Sequence, residues 1–259
     1  MRAHRKQSQE EVVRALQQQV DELTRTNMLL QEELARKEQF TAMIAHELRG
    51  PLAPIINYAQ MIARPNCRRE TVERGTAIII SQAQRLKRLV NDLLDASYLS
   101  TGQFKLLLAE CDIVALIREL VEQFRPLAPY HRLEVEVPET PLVGRWDGER
   151  LQQAVGNLLD NAIKYSDEHT TITVRVSQPE EHLVRVSVHN VGRVIPAAEI
   201  NSIFRPYVRL QTARSRQGSG LGLYITKSIV EAHGGTLRLE RPGAEDQGTT
   251  FSFDLPLPS

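Results

Sequence analysis

The chain has 259 residues, 41% hydrophobic and 25% charged, enough for one large domain or two modest ones. Its 32 Lys and Arg balance 32 Asp and Glu, so no net basic charge favours a nucleic-acid partner. No apolar run reaches about 18 residues, "MRAHRKQSQEEVV" lacks the apolar core of a secretory leader, and Cys67 and Cys111 have neither disulfide-framework nor metal-ligand spacing and read as packing residues.

The first hundred residues carry few strand signals. Val13, Leu16, Val20, Leu23, Leu30 and Leu34 recur in steps of three and four, with Asn27 in the gap. That is a heptad seam, and an Asn at one seam position disfavours slipped pairings. The spacing predicts a parallel coiled-coil dimer over 1–36; a single long helix packed on its own chain is the alternative. A second stripe follows: Phe40, Ile44, Leu48, Leu52 or Ile55, Ala59, Ile62. Pro65 should end it. A third runs Ile79, Ala83, Leu86, Val90, Leu93 and closes at "STG", with Gly102 as cap. Two antiparallel helices over 37–102, each with one apolar face, would pair with a second copy as a four-helix bundle.

His46 lies between Ile44 and Leu48, which at ~100° per residue turns it to the solvent side. Pro51 cannot donate to the carbonyl of Glu47, and Pro54 cannot donate to that of Gly50, so a bend is expected just after His46. A positioned neutral imidazole is a nucleophile, and Glu47 is placed to accept a proton. A surface His beside a surface Glu is the plain alternative.

Beyond Gly102 short strands and helices alternate over 103–259. "FKLLLAE" and "RLEVEV" read as strands, and "DIVALIRELVEQF" as an amphipathic helix capped by Asp112. A helix capped by Asp147 presents Asn157, Asn161 and Lys164 on one face. Two amides and an amine suit a hard cation that also holds phosphates; an exposed polar face is the alternative. "TTITVRVSQPEEHLVRVSVHN" reads as two strands joined by a Pro-containing turn, and "GGTLRLERPGAEDQGTTFSFDLPLP" as a closing hairpin. "GSGLGLYI" brings Gly218, Gly220 and Gly222 to a helix starting near Leu221, where backbone amides can meet an anion. It lacks the Gly-Lys-Ser/Thr of a P-loop.

"FTAMIAHELRGPL" resembles the phosphoacceptor box of sensor histidine kinases, including the phenylalanine six residues before the histidine. "RLQQAVGNLLDNAIKYS" is similar to that family's N box, "HNVGRVIP" to its adenine loop, "IFRPYVRL" to its F box and "GSGLGLYI" to its G2 box, in the family's order over about 36–257. The resemblance implies a coiled coil and helical hairpin followed by an α/β-sandwich ATP-binding domain of the histidine kinase/gyrase type. It implies that His46 accepts the phosphoryl group of ATP, with Glu47 as general base. Asn157 and Asn161 would hold Mg²⁺, Lys164 and Arg209 would touch phosphate, and Tyr165 would lie along the nucleotide. Asn190 and Gly192 would meet the adenine, and Gly218, Ser219, Gly220, Leu221 and Gly222 would line the phosphates.

Three positions depart from the pattern. Gly50 replaces the Thr or Asn that helps orient water for dephosphorylating the partner, which implies weak phosphatase activity. Asn190 replaces an Asp, keeping an acceptor without its charge, and Val194 replaces a Gly. The implied partners are a second copy, a response-regulator receiver domain and an upstream sensor domain or protein. A cytoplasmic location follows, with the chain as the catalytic part of a longer kinase or one fed by another protein. A gyrase-type ATPase is disfavoured because Asn157 stands where such enzymes place a Glu base. A silent dimeric pseudokinase, relaying signals through its bundle, is the remaining alternative, and the altered adenine loop is its only support.

Overall fold

The structure, a computed structural model, describes residues 2–65, 67–100, 104–192, 194–196, 199–200, 202–206, 208, 220–240 and 248–257. Gly102, Arg209, Gly218 and Ser219, and with them the basic "TARSRQ" stretch, lie outside the described residues.

The N-terminal half is two helices. The first, α1, runs Arg2–Ile62 through both Pro51 and Pro54, so coil and hairpin arm form one helix. The described seam residues Leu16, Val20, Leu23, Leu30 and Leu34 are all more than half exposed. The chain turns through a short loop in which Cys67 N–H donates to the Arg64 carbonyl at 3.3 Å, and α2 follows over Arg69–Ser100. The two helices meet where Gly75 passes α1: a Cβ there would stand 2.9 Å from Ile62 Cδ1 and 3.2 Å from Tyr58 Cδ1. The expected stripe needs adjustment. Ile44, Leu48, Ile55, Ile62, Ile79 and Leu86 are half-buried, Leu93 packs against the α/β core, and Leu52, Ala59, Ala83 and Val90 stay exposed.

The C-terminal half is a helix-on-sheet sandwich. Strand β1 (Ala109–Asp112) pairs antiparallel with β3 (Val143–Trp146). The main sheet has the order β2-β4-β5-β7-β6, with β2 (Arg132–Glu136), β4 (Thr171–Glu180), β5 (Leu183–Val191), β6 (Thr236–Glu240) and β7 (Gly248–Pro256). Its β2–β4 pair is parallel and the rest antiparallel. The helices α3 (Ile113–Phe124), α4 (Gly148–Tyr165) and α5 (Gly222–Ala232) share one apolar core with the sheet. Both expected caps form: Val114 N–H donates to Asp112 Oδ1 at 3.0 Å and Arg150 N–H to Asp147 Oδ1 at 3.2 Å.

Alternation on β5 sends Val184, Val186, Val188 and Asn190 to the helix side. Elsewhere on the sheet, Asp254 of β7 accepts from Arg185 of β5 at 2.7 Å and from Arg238 of β6. Burial pushes the Asp254 carboxyl up, but these two guanidiniums outweigh it and hold it below the usual carboxylate range.

Two strand expectations are corrected. "FKLLLAE" is not a strand as a whole: residues 104–108 are a connection, and pairing starts at Ala109. Pro179 lies inside β4 and not in the turn, at a register shift between Ser177 and Glu180, where a residue without an N–H is tolerated.

Candidate active site

His46 is exposed on α1, as its helical position dictates. Glu47, ~100° further round, faces the hairpin: it is 9% exposed and its Oε2 lies 3.6 Å from Arg85 Nη2 on α2. Pro51, one turn on, is buried on the same side. The His-Glu pair is thus divided between solvent and hairpin, a division that hydrophobic spacing alone did not reveal.

In the α/β half, α4 carries Asn157, Asn161 and Lys164 along one side, all half-buried. Asn157 Nδ2 donates to the Gly222 carbonyl at 3.3 Å, which commits its nitrogen and leaves the amide oxygen as the group for a cation. Lys164 Nζ stands 5.1 Å from the centroid of the Tyr165 ring, a cation–π distance. No group of three or more His, Cys, Asp or Glu could hold a metal among the described residues. The amide oxygens of Asn157 and Asn161 are hard oxygen donors of the kind that suits Mg²⁺ keeping several waters and phosphates.

The end of α4 is fastened to the adenine-loop candidate. Ser166 bridges Gly192, and Asp167 N–H donates to the Val191 carbonyl at 3.0 Å. A Cβ at Gly192 would meet the Tyr165 carbonyl at 2.4 Å, so only glycine allows this approach. Asn190, 5% exposed, pairs across the sheet with Thr249, 8% exposed. Thr249 was not recognised in the sequence. The signal for it is register: it stands directly opposite Asn190, which only strand pairing reveals.

Gly220 has φ 69°, a left-handed turn natural to glycine. It leads through the fully buried Leu221 into α5. No side-chain cap bonds the start of that helix among the described residues, and Gly222 there stands beside Asn157. At the other end of α5, His233 Nδ1 lies 2.8 Å from the Ile229 carbonyl, and Asp147 N–H donates to His233 Nε2 at 2.9 Å. The proton therefore sits on Nδ1 and the ring is neutral. Burial, its main cause, moves the His233 pKa below 6.5. His131, His169 and His182 stand at turns or strand ends.

The chain thus carries an exposed histidine on a helical hairpin, followed by a sheet-and-helix domain in which α4 meets the glycine start of α5. The family comparisons agree. Residues 36–102 match the "His Kinase A (phospho-acceptor) domain" and residues 146–259 the "Histidine kinase-, DNA gyrase B-, and HSP90-like ATPase". The chain belongs to the sensor histidine kinases of two-component systems. Adaptive-response sensory kinase SasA of Crocosphaera subtropica is 34% identical over 88% of this chain and 61% of its own length. Full-length ShkA in complex with AMPPNP superposes with a TM-score of 0.63 at 28% identity, covering 86% of this chain and 46% of that one. Histidine kinase ThkA in complex with response regulator TrrA gives a TM-score of 0.60 at 27% identity, over 88% and 64%. The chain spans 36% to 61% of the length of the first three curated relatives.

Proposed function

We propose that this chain is an ATP-dependent protein-histidine kinase that autophosphorylates His46 and passes the phosphoryl group to an Asp of a response-regulator receiver domain. The observation that carries this reading is the Asn157–Gly222 corner in the same chain as a solvent-facing His46. Bound ATP with Mg²⁺ supplies the phosphoryl group. An imidazole nitrogen of His46 forms the N–P bond as the bond from the γ-phosphorus to its bridging oxygen breaks, and ADP departs. Glu47, seated toward Arg85 in this structure, would have to turn to His46 to receive the ring proton. Asn157 and Asn161 would hold Mg²⁺, which when bound would offset phosphate charge, while Lys164, Arg209 and the amides of Gly218, Ser219, Gly220, Leu221 and Gly222 would offset charge in a loose transition state. Asn190 and Gly192, with Thr249 beside them, receive the adenine, and Tyr165 lies along the nucleotide.

The protein works as a homodimer, because its coil seam and part of its hairpin surface are apolar and uncovered within the chain. No helix among the described residues is long and apolar enough to cross a membrane. We place the reaction in the cytoplasm, with input arriving through α1 from an upstream sensor domain or protein. The pseudokinase reading has one observation in its favour, the uncharged Asn190 in the adenine position.

Incubation with γ-labelled ATP and Mg²⁺ tests the assignment. Acid-labile label on the wild type, absent from His46→Ala, is the expected outcome. Absence of both label and ATP binding would favour the pseudokinase. The same preparation tests phosphatase activity. A Cβ added at Gly50 would meet nothing within 4 Å, so Gly50→Thr fits and should accelerate dephosphorylation of the regulator. Fast dephosphorylation by the wild type, with no gain in the variant, would refute the weak-phosphatase reading.

A further inference from the structure

The two halves touch through a polar junction that belongs to neither site. Asp95 of α2 is 5% exposed, and both its carboxylate oxygens accept from Arg150 Nη1 of α4, at 2.8 and 2.9 Å. Gln153 Nε2 adds a third bond at 2.7 Å, and Gln153 Oε1 accepts from the same Arg150 nitrogen at 2.9 Å. The Arg150 guanidinium also lies 5.0 Å above the ring of Phe104, in the connection between the halves. That connection is tied once more where Leu107 N–H donates to Asp147 Oδ2 at 2.8 Å. Ala96, 4% exposed, joins the α/β core, and Leu93 packs against it.

An ion pair with a buried carboxylate and a half-buried guanidinium adds little net stability over an apolar contact, but its hydrogen bonds are directional and favour one placement of the two helices. The geometry here fixes a register. Arg150 meets Asp95, and Asp160, at the other end of α4, lies 4.0 Å from Arg88. Residue numbers rise along α4 while they fall along α2, so the helices run antiparallel. At ~1.5 Å per residue, Asp160 lies ~15 Å along α4 from Arg150, and Arg85 lies ~15 Å along α2 from Asp95. Arg85 is the residue that faces Glu47, the neighbour of His46. Asn161 and Lys164 follow Asp160 within ~6 Å of axis. The docked register therefore brings the phosphate end of α4 to the level of His46 on the hairpin.

We propose that Asp95, Arg150 and Gln153 form a register pin that positions the catalytic domain along α2 so that His46 and the phosphate corner meet. These are positioning residues. They touch no reacting atom and act through the placement of α4. The role rests on the proposed phosphorylation of His46.

The test is single-turnover autophosphorylation of the full chain, with ADP affinity measured by calorimetry. Asp95→Ala should lower the phosphorylation rate constant about 10- to 100-fold, the usual consequence of a small misplacement of reacting groups. ADP affinity should stay unchanged, because α2 lies outside the nucleotide corner and an intact affinity reports a folded α/β domain. The reversed pair, Asp95→Arg with Arg150→Asp, should recover part of the rate. An unchanged rate in Asp95→Ala would overturn the pin. A faster rate would overturn it too, showing the contact to restrain the domain instead. A wild type that binds ADP yet never labels His46 would remove the phosphoacceptor reading itself, and the positioning role with it.

Discussion

The helical half and the α/β half treat apolar side chains in opposite ways. Ile113, Ile117, Leu151, Leu159, Ile172 and Phe253 are fully buried within one chain. Leu16, Leu23, Leu30, Ile56, Ile80 and Leu94 are about half exposed or more in the same chain. The α/β domain encodes a complete core, whereas α1 and α2 leave large apolar side chains uncovered within the chain. The difference fits the separate jobs proposed above: a nucleotide corner held within the sandwich, and a histidine presented by helices that a second copy would cover.

The largest test of that contrast is on the self-contained side. Trp146 is 2% exposed, with Nε1 donating to the Pro256 carbonyl at 3.3 Å. Trp146→Ala should cost about 3–5 kcal/mol of α/β-domain stability. Dimer dissociation, read by sedimentation equilibrium, should not change. A dimer that weakens along with the domain would mean that the halves are one cooperative unit.

Next is the helical side. Leu23 is 69% exposed in the single chain and occupies the seam. If a second copy covers it, Leu23→Asp removes about 1.5–3 kcal/mol of burial per chain and adds a charge to the seam. The dimer dissociation constant should rise by at least tenfold, with ADP affinity unaltered. An unmoved constant would return α1 to the reading of a long helix independent of any second copy.

Sequence patterns revealed the parts that local rules control. The caps at Asp112 and Asp147, the alternation of β5, the exposed His46 and the Asn157–Asn161–Lys164 face all follow from helix or strand period and capping chemistry. What escaped depends on neighbours distant in sequence. Thr249 comes beside Asn190 only through strand pairing. Glu47 turns inward because Arg85 waits on α2. Residues 104–108 have strand-like composition, but Phe104 and Leu107 are claimed by Arg150 and Asp147 before they can pair. The stripe of α1 and α2 mixed two faces, one for the hairpin and one for the outside, since both are apolar and periodicity does not separate them.

The smallest effect concerns acid, where the two regions should respond with opposite sign. His233 is neutral inside the α/β domain, and burial holds its pKa below 6.5. Its contribution is present above pH 6.5 and is lost as pH falls through the lower folded-state value. Asp92, on α2 beside α4, is raised from 3.8 to about 6, first by burial and then by the charges of Asp95 and Asp160, against the pull of Arg88 and Gln153. The docked state therefore favours the protonated acid, and docking strengthens as pH falls through about 6 toward 3.8. Trp146 is the only tryptophan and reports unfolding of the α/β domain by fluorescence. His233→Gln should lower its melting temperature most above pH 6.5, with the deficit shrinking in acid. Asp92→Asn, which mimics the protonated group, should raise the melting temperature at pH 7.5, and that gain should fade as pH falls below 6. If both differences kept one size from pH 5 to 7.5, neither group would titrate with folding or docking. The two regions would then share a single response to acid.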